Sequence, residues 1–365
     1  MALNCGIIGI TNIGKTTIFN CISNTKAEAS NFAFSATKSN IGKVDVPDER
    51  LYKIDSFINS EKVVPATVEI VDVPGLTKGA NQGEGVGNKF LADIQQMDAL
   101  IHVVRCFDDE NLAHIEGSVD PVRDKEIVDF ELQVRDLDLV ERKIQRLEKI
   151  AKSGDKAAKH GIEFLTKVKD HLENLQNVRT FEIPEADKHL IDDIYLLTIK
   201  PVIYVCNVDE GSANTGNTYT EAFKESVKDE ESETIVIAGA LEADIAELED
   251  KEDREAFLED AGLTEPGVNK LVQSAYRILN LQSFFTAGPK EVKAWTIRKG
   301  MTAPQASGVI HSDLERGFIR AEVMKYDDFI ELGSEQKCKD QGKFNVEGKN
   351  YIVGDGDILH IRFNV

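Results

Sequence analysis

Residues Gly9-Ile10-Thr11-Asn12-Ile13-Gly14-Lys15-Thr16 read G-x-x-x-x-G-K-T, and what surrounds them decides the fold. The β-branched pair Ile7-Ile8 precedes the stretch and is expected to be a short buried strand, and a helical pattern follows it. Strand, glycine loop and helix in that order form a phosphate cradle. Gly9 and Gly14 let the backbone curl without Cβ clashes, so that successive N–H groups converge on phosphate oxygens. Lys15 brings a positive charge to the outer phosphates, and the Thr16 hydroxyl is a hard oxygen suited to Mg²⁺. The helix that begins at Gly14 adds the positive end of its dipole. These residues predict a nucleoside-triphosphate site.

Moving outward, residues 67–76 (TVEIVDVPGL) read as a strand that ends in Asp72-x-x-Gly75. At this distance from a phosphate loop, Asp72 is expected to hold the metal or its water, and the Gly75 N–H to meet the γ-phosphate. Leu76 stands where many related enzymes place a water-orienting glutamine, and leucine cannot do that work. Before this strand, residues 31–37 read as a loop with Thr37 available to a metal, or as a plain loop threonine. After it, Lys78–Asn88 carries four glycines and reads as a switch segment. Ala99–Val104 is a buried strand in which His102 is expected to pack in the core. His114 lies beyond that strand's end, where α/β sheets keep their ligands, and is either a replacement for the missing glutamine or a surface histidine.

Apolar residues then change period. Phe130, Val134, Leu137, Ile144, Leu147 and Ala151 approximate heptad spacing, and Ile162, Leu165, Val168, Leu172 and Leu175 repeat it across the break Ser153-Gly154-Asp155. The pattern predicts an antiparallel helical hairpin within residues 126–197, with a first arm of ~24 residues. Seven Lys/Arg against two acidic residues occupy 142–159, a net +5 in a chain whose net charge is −21. That concentration is either a solvated coiled-coil face or an RNA-facing tip.

Residues 201–206 form another expected buried strand, ending in Asn207-Val208-Asp209-Glu210. Guanine-specific proteins read N-K-x-D here, and the replacement of the aspartate by Glu210 shifts the expectation toward ATP, with GTP weaker, or toward relaxed base specificity. Residues 235–240 supply a last strand and turn, while 219–260 are acid-rich. From about 282 a strand-rich, charge-balanced module begins, with twelve Lys/Arg and twelve Asp/Glu. Five scattered cysteines argue for reduced thiols in the cytoplasm rather than a disulfide or zinc framework. No apolar run reaches membrane-spanning length, and the acidic balance disfavours a nucleic-acid-coating surface; neither a membrane nor DNA is an expected partner.

The segments GITNIGKTT, NFAFSATKSNIGKVDVPDERL, DVPGLTKGANQGEGVGNKFLADI, HVVRCF, NVDE and the C-terminal run from PKEVKAWTIRKG to GDGDILHIRFNV together resemble the YchF family of Obg-related nucleotidases. The resemblance spans nearly the whole chain. It implies a doubly wound α/β P-loop core over 1–125 and 198–281, an inserted helical coiled-coil hairpin over 126–197, and a β-grasp-like TGS domain over 282–365. It further implies an ATP-hydrolysing switch that associates with ribosomes, through the hairpin and the TGS domain. Asn12, Ile13, Gly14, Lys15, Thr16 and Thr17 would bind phosphate and Mg²⁺, Asp72 and Gly75 would sense the γ-phosphate, and Asn207, Val208 and Glu210 would meet the base. The family's loop motif would place its threonine at Ala36 rather than Thr37. Asn12 is either the K⁺ ligand used by related hydrophobic-switch nucleotidases or a turn-stabilising asparagine. Lys15 and His114 are the expected catalytic groups. Two other readings stay open, a GTPase with tolerant base recognition and a ribosome-binding adaptor whose nucleotide is mainly a ligand.

Overall fold

A computed structural model describes residues 3–23, 40–76, 86–248 and 250–364, without the side chains of 86–88 and 251. Ala36, Thr37 and most of the glycine-rich stretch 78–88 lie outside the described residues. Along the chain the elements are β1 (Asn4–Ile8), α1 (Lys15–Ile22), β2 (Asn40–Asp45), α2 (Glu49–Ile58), β3 (Val63–Val64) and β4 (Thr67–Asp72). Then follow α3 (Val86–Gln95), β5 (Ala99–Arg105), α4 (Pro121–Ala151), α5 (Lys156–Glu173), β6 (Val202–Asn207), α6 (Thr218–Ser226), β7 (Glu233–Ile237) and α7 (Gly239–Glu247). The rest comprises α8 (Lys251–Asp260), α9 (Gly267–Ile278), β8 (Leu281–Ala287), β9 (Val292–Arg298), α10 (Ala303–Ile310), α11 (Ser312–Arg316), β10 (Phe318–Met324), α12 (Tyr326–Leu332), α13 (Glu335–Asp340), β11 (Asn345–Glu347) and β12 (Ile358–Phe363). They form two compact units, Met1–Gly42 with Glu69–Leu271, and Lys43–Val68 with Val272–Val365.

The first unit is built on a sheet of order β2–β4–β1–β5–β6–β7, parallel from β4 through β7. β5 and β6 are buried along their whole length, as continuous apolar runs in a parallel sheet must be. His102 sits in β5 at 2 % exposure, the core position expected from its apolar neighbours. The strand order reverses beside β1, and the phosphate loop leaves the carboxyl end of that strand, where doubly wound sheets bind their ligands.

The hairpin is longer at its root than its heptads predict. Asp120 accepts from the Arg123 N–H and Pro121 takes the first turn, so α4 starts before residue 126 and runs 31 residues, about 46 Å. Gly154 turns the chain at φ 87°, and Asp155 caps α5 through the Ala158 N–H. Val140, Phe164, Leu165, Val168 and Leu172 form the seam with Ile191, Ile194 and Leu196. Phe130 and Leu175, which share the heptad spacing, do not join it: both side chains are exposed. Asp136, fully buried, accepts from the Leu197 and Thr198 N–H groups and the Thr198 hydroxyl, each at 2.7 Å, and so anchors the arm beside the start of β6.

The second unit carries a sheet of order β11–β10–β12–β8–β9–β3, with α10 packed through Ala303 and Ala306 on a core of Phe284, Ile297, Phe318, Val323 and Leu359. Parallel β12–β8 pairing between antiparallel neighbours, with a helix over one face, is a β-grasp-like arrangement. Residues Lys43–Val68, assigned by their sequence neighbourhood to the nucleotidase portion, belong to this unit. The reason is pairing: Val63 and Val64 extend β9, Arg50 reaches both Asp355 oxygens at 3.0 and 3.1 Å, and Phe57 stands edge-on to Phe329. Ile352 and Thr302 pair as an isolated antiparallel bridge.

Candidate functional site

The loop between β1 and α1 adopts the left-handed backbone conformations its sequence allows. Gly9, Asn12 and Gly14 have φ of 144°, 59° and 91°. A Cβ on Gly9 would lie 2.6 Å from the Val103 carbonyl oxygen, and one on Gly14 would collide with the Asn207 amide at 2.3 Å. Gly14 precedes Lys15, Thr16 and Thr17 in the first turn of α1, whose N–H groups have no intrahelical acceptor and suit an anion.

Lys15 is 7 % exposed and its Nζ donates to the Ile10 carbonyl at 2.5 Å. Burial pulls the ammonium down to about 8, opposed by the nearby Asp72 carboxylate. Gly75 lies directly over this group, since a Cβ there would stand 2.9 Å from Lys15 Nζ and 2.8 Å from Thr11 Cγ2. The Leu76 N–H donates to the Gly9 carbonyl at 3.0 Å and its side chain is buried, so the position of the usual glutamine is packing, not chemistry. At the end of β4, Asp72 accepts from the Thr16 hydroxyl at 2.8 Å while its other oxygen is buried without a partner. Burial raises the Asp72 carboxyl above the usual range, against the lowering effects of Thr16 and Lys15. A hydroxyl and a half-satisfied buried carboxylate are hard donors that fit Mg²⁺.

The base-side residues divide. Asn207 Nδ2 donates to the Ile13 carbonyl at 2.9 Å, and its oxygen accepts from the Gly239 N–H at 2.9 Å, so this amide braces the phosphate loop against the start of α7. Val208 is buried, with its N–H on the Ile237 carbonyl. Glu210 is exposed and opens a single 3₁₀ turn capped by Asp209.

Sequence reasoning passed over Arg105, whose one detectable signal is a charge closing an apolar strand. Its guanidinium is 1 % exposed, lies 4.7 Å from the Phe107 ring centroid, and donates to the Phe107, Leu112 and Asp109 carbonyls at 3.0, 2.9 and 3.3 Å. It thereby shapes the loop whose Ala113 carbonyl accepts from Asn12 Nδ2 at 3.3 Å. His114 follows, and its side chain is buried rather than on the surface. Nδ1 accepts from the Glu116 N–H at 3.1 Å, which leaves Nε2 to donate to Asp124 at 2.8 Å in α4. Both nitrogens are committed, so the ring meets a water only by giving up one of these bonds. Asp124 itself, raised by burial, is shared with Arg123 at 2.9 Å. Among the described residues no cluster of three or more His, Cys, Asp or Glu forms a metal site.

A phosphate loop, a strand-end aspartate and a glycine poised over the loop lysine define a P-loop nucleotide-binding protein of the doubly wound class. Residues 4–157 match a family described as 50S ribosome-binding GTPase, and 281–364 match the YchF GTPase C-terminal family, described as a protein of unknown function. The chain is 47 % identical over 365 residues to the ribosome-binding ATPase YchF of Haemophilus ducreyi, covering all of both chains. The like-named protein of Bacillus subtilis is 45 % identical over 367 residues, again with full coverage of both, and Obg-like ATPase 1 of Pongo abelii is 42 % identical over all of this chain and 93 % of its own. The structure of the Schizosaccharomyces pombe YchF GTPase superposes with a TM-score of 0.86 at 34 % identity, covering 99 % of this chain and 97 % of that one. The chain belongs to the YchF family. Among the described residues no helix is long and apolar enough to cross a membrane.

Proposed function

We propose that this protein is a Mg²⁺-dependent, ATP-hydrolysing switch that works on the ribosome in the cytoplasm. The observation that carries the nucleotide reading is the convergence of Lys15, Gly75, Thr16 and Asp72 on one loop. Lys15 would exchange the Ile10 carbonyl for a phosphate oxygen, and the N–H groups of the loop and of the first turn of α1 would bind the remaining oxygens. Thr16 and Asp72 would hold Mg²⁺, which supplies positive charge beside the β- and γ-phosphates. Water would attack in line, and Lys15, once released from the Ile10 carbonyl, would face the oxygens on which charge accumulates. Glu210, in place of the aspartate that reads guanine, supports ATP over GTP. Asn12, with its amide nitrogen on Ala113, keeps a side-chain oxygen as the ligand a K⁺ would need.

The ribosome enters from the printed names of the relatives and from the exposed cations Arg142, Arg146, Lys149, Lys152, Lys156 and Lys159 toward the hairpin turn. Lys143 is not among them, because its ammonium is held inside by the Leu190 carbonyl and Asp193. A second reading is favoured by the burial of Leu76 together with the occupation of both His114 nitrogens: the nucleotide is then chiefly a regulatory ligand and turnover is slow until a partner rearranges the loop. Titration with ATP, GTP and hydrolysis-resistant analogues, followed by turnover with and without ribosomes, tests both. Equal affinity for GTP removes the adenine preference, and turnover unchanged by ribosomes removes the switch.

A further inference from the structure

At the root of the hairpin, away from the phosphate loop, lies a cavity of about 1070 Å³ bounded by the start of α4, residues 175–180 and the chain before β7. Two of its charged lining residues are basic, Arg123 and Lys125, and five are acidic. Both cations are already paired: Lys125 lies between Asp129 at 2.7 Å and Glu230 at 2.8 Å, and Arg123 holds Asp124 at 2.9 Å. Arg179 closes the network at 3.5 Å from Asp129 and 3.3 Å from Glu230, and the Tyr204 hydroxyl donates to Glu230 at 2.7 Å. This wall is pre-organised, and the acidic surplus that faces the cavity is contributed by the exposed Glu126 and Asp229.

Its rim is apolar at a structural cost. The end of α5 is a Schellman turn, with the Gln176 N–H on the His171 carbonyl at 3.2 Å and the Leu175 N–H on the Leu172 carbonyl at 3.0 Å. The residue at its left-handed position is ordinarily glycine or asparagine, yet here it is Leu175, at φ 56°. A leucine forced into that conformation regains nothing by burial, since it is 65 % exposed. Phe130, across the cavity on α4, is 50 % exposed, although its heptad position would place it in the seam. Strain, exposure and an acidic wall coincide at one place.

We propose that this cavity docks a basic polypeptide segment of a protein partner, with cationic side chains toward the acidic wall and apolar ones covering Leu175 and Phe130. The acidic surplus repels phosphate backbones, which disfavours RNA here and separates this surface from the basic hairpin tip. The proposal does not depend on the identity of the nucleotide.

The test uses the full chain and, as probe, a fluorescent ten-residue peptide of alternating lysine and leucine, followed by anisotropy at moderate salt. Saturable binding is expected, weakened about tenfold or more both by Leu175→Gly and by the pair Glu126→Lys/Asp229→Lys. Leu175→Gly is the decisive variant, because glycine accepts the turn and its melting temperature should be no lower than the parent's. The pair Glu185→Lys/Glu225→Lys makes the same change of net charge at exposed positions outside the cavity and should leave affinity unchanged. Equal loss in that control pair, undiminished binding by Leu175→Gly, or a lower melting temperature for that variant would overturn the proposal. So would a single-stranded RNA oligonucleotide whose binding Leu175→Gly weakens, which would make RNA the occupant.

Discussion

Thr16 and Asp72, 56 positions apart, meet at 2.8 Å, and the Asp72 oxygen not used in that contact is buried with no partner. A carboxylate half-satisfied in this way is costly unless a cation completes it. Asp72→Asn keeps the shape and the contact with Thr16 but removes the charge. Isothermal titration should show triphosphate affinity falling at least ~10-fold in Mg²⁺ and little change in EDTA, the difference being the metal's share. Equal losses in both buffers would place Asp72 in loop architecture alone.

Lys15→Ala should abolish productive triphosphate binding. Among the described residues, Lys15 is the cation that the loop places beneath Gly75. Parental ATP turnover by this variant would dismiss the loop as the phosphate site.

His114 is held between the Glu116 N–H and Asp124, so any action on water requires release from that clasp. His114→Ala is expected to lower kcat by up to ~10²-fold with ATP affinity nearly unchanged, and Asp124→Asn, which weakens the clasp, to raise kcat. A His114→Ala variant that turns over at the parental rate but melts lower would confine His114 to holding the loop on α4.

Converting Lys149, Lys152, Lys156 and Lys159 to glutamate should weaken co-sedimentation with ribosomes while ATP affinity stays put. All four are exposed, so the effect should diminish as salt rises. Unaltered sedimentation at low salt would make this end of the hairpin a solvated surface.

His102, buried in β5, is brought down to about 4 by desolvation, whereas the unfolded chain titrates near 6.5. The unfolded state therefore binds the extra proton, and stability rises with pH between about 4 and 6.5 and is lost as pH falls through that window. The loss is on the order of 3 kcal/mol at the acid end. His102→Phe also removes a ring nitrogen that has no partner, and it should flatten the acid limb of a melting-temperature profile. An unchanged limb would assign acid sensitivity to other groups.

Local chemistry accounts for what could be read from residues alone. The glycines at 9 and 14, the lysine and threonine after them and the apolar runs of β4, β5 and β6 specify a phosphate loop on a parallel sheet, because backbone freedom and side-chain period act within a few residues. The hairpin's existence was legible from its heptads, and its basic tip from composition. The partners were not. Periodicity says which face of a helix is apolar but not what covers it, so Phe130 and Leu175 read as seam and stand exposed. Arg105 could be seen as a charge ending a strand, yet only the folded loop brings three carbonyls around it. Asn207 reached Ile13, His114 found Asp124, and residues 43–68 joined the second sheet through contacts that span 10 to more than 300 positions. Such long-range pairings are decided by which buried polar group or strand edge is left without a partner, and that is settled only when the whole chain has packed.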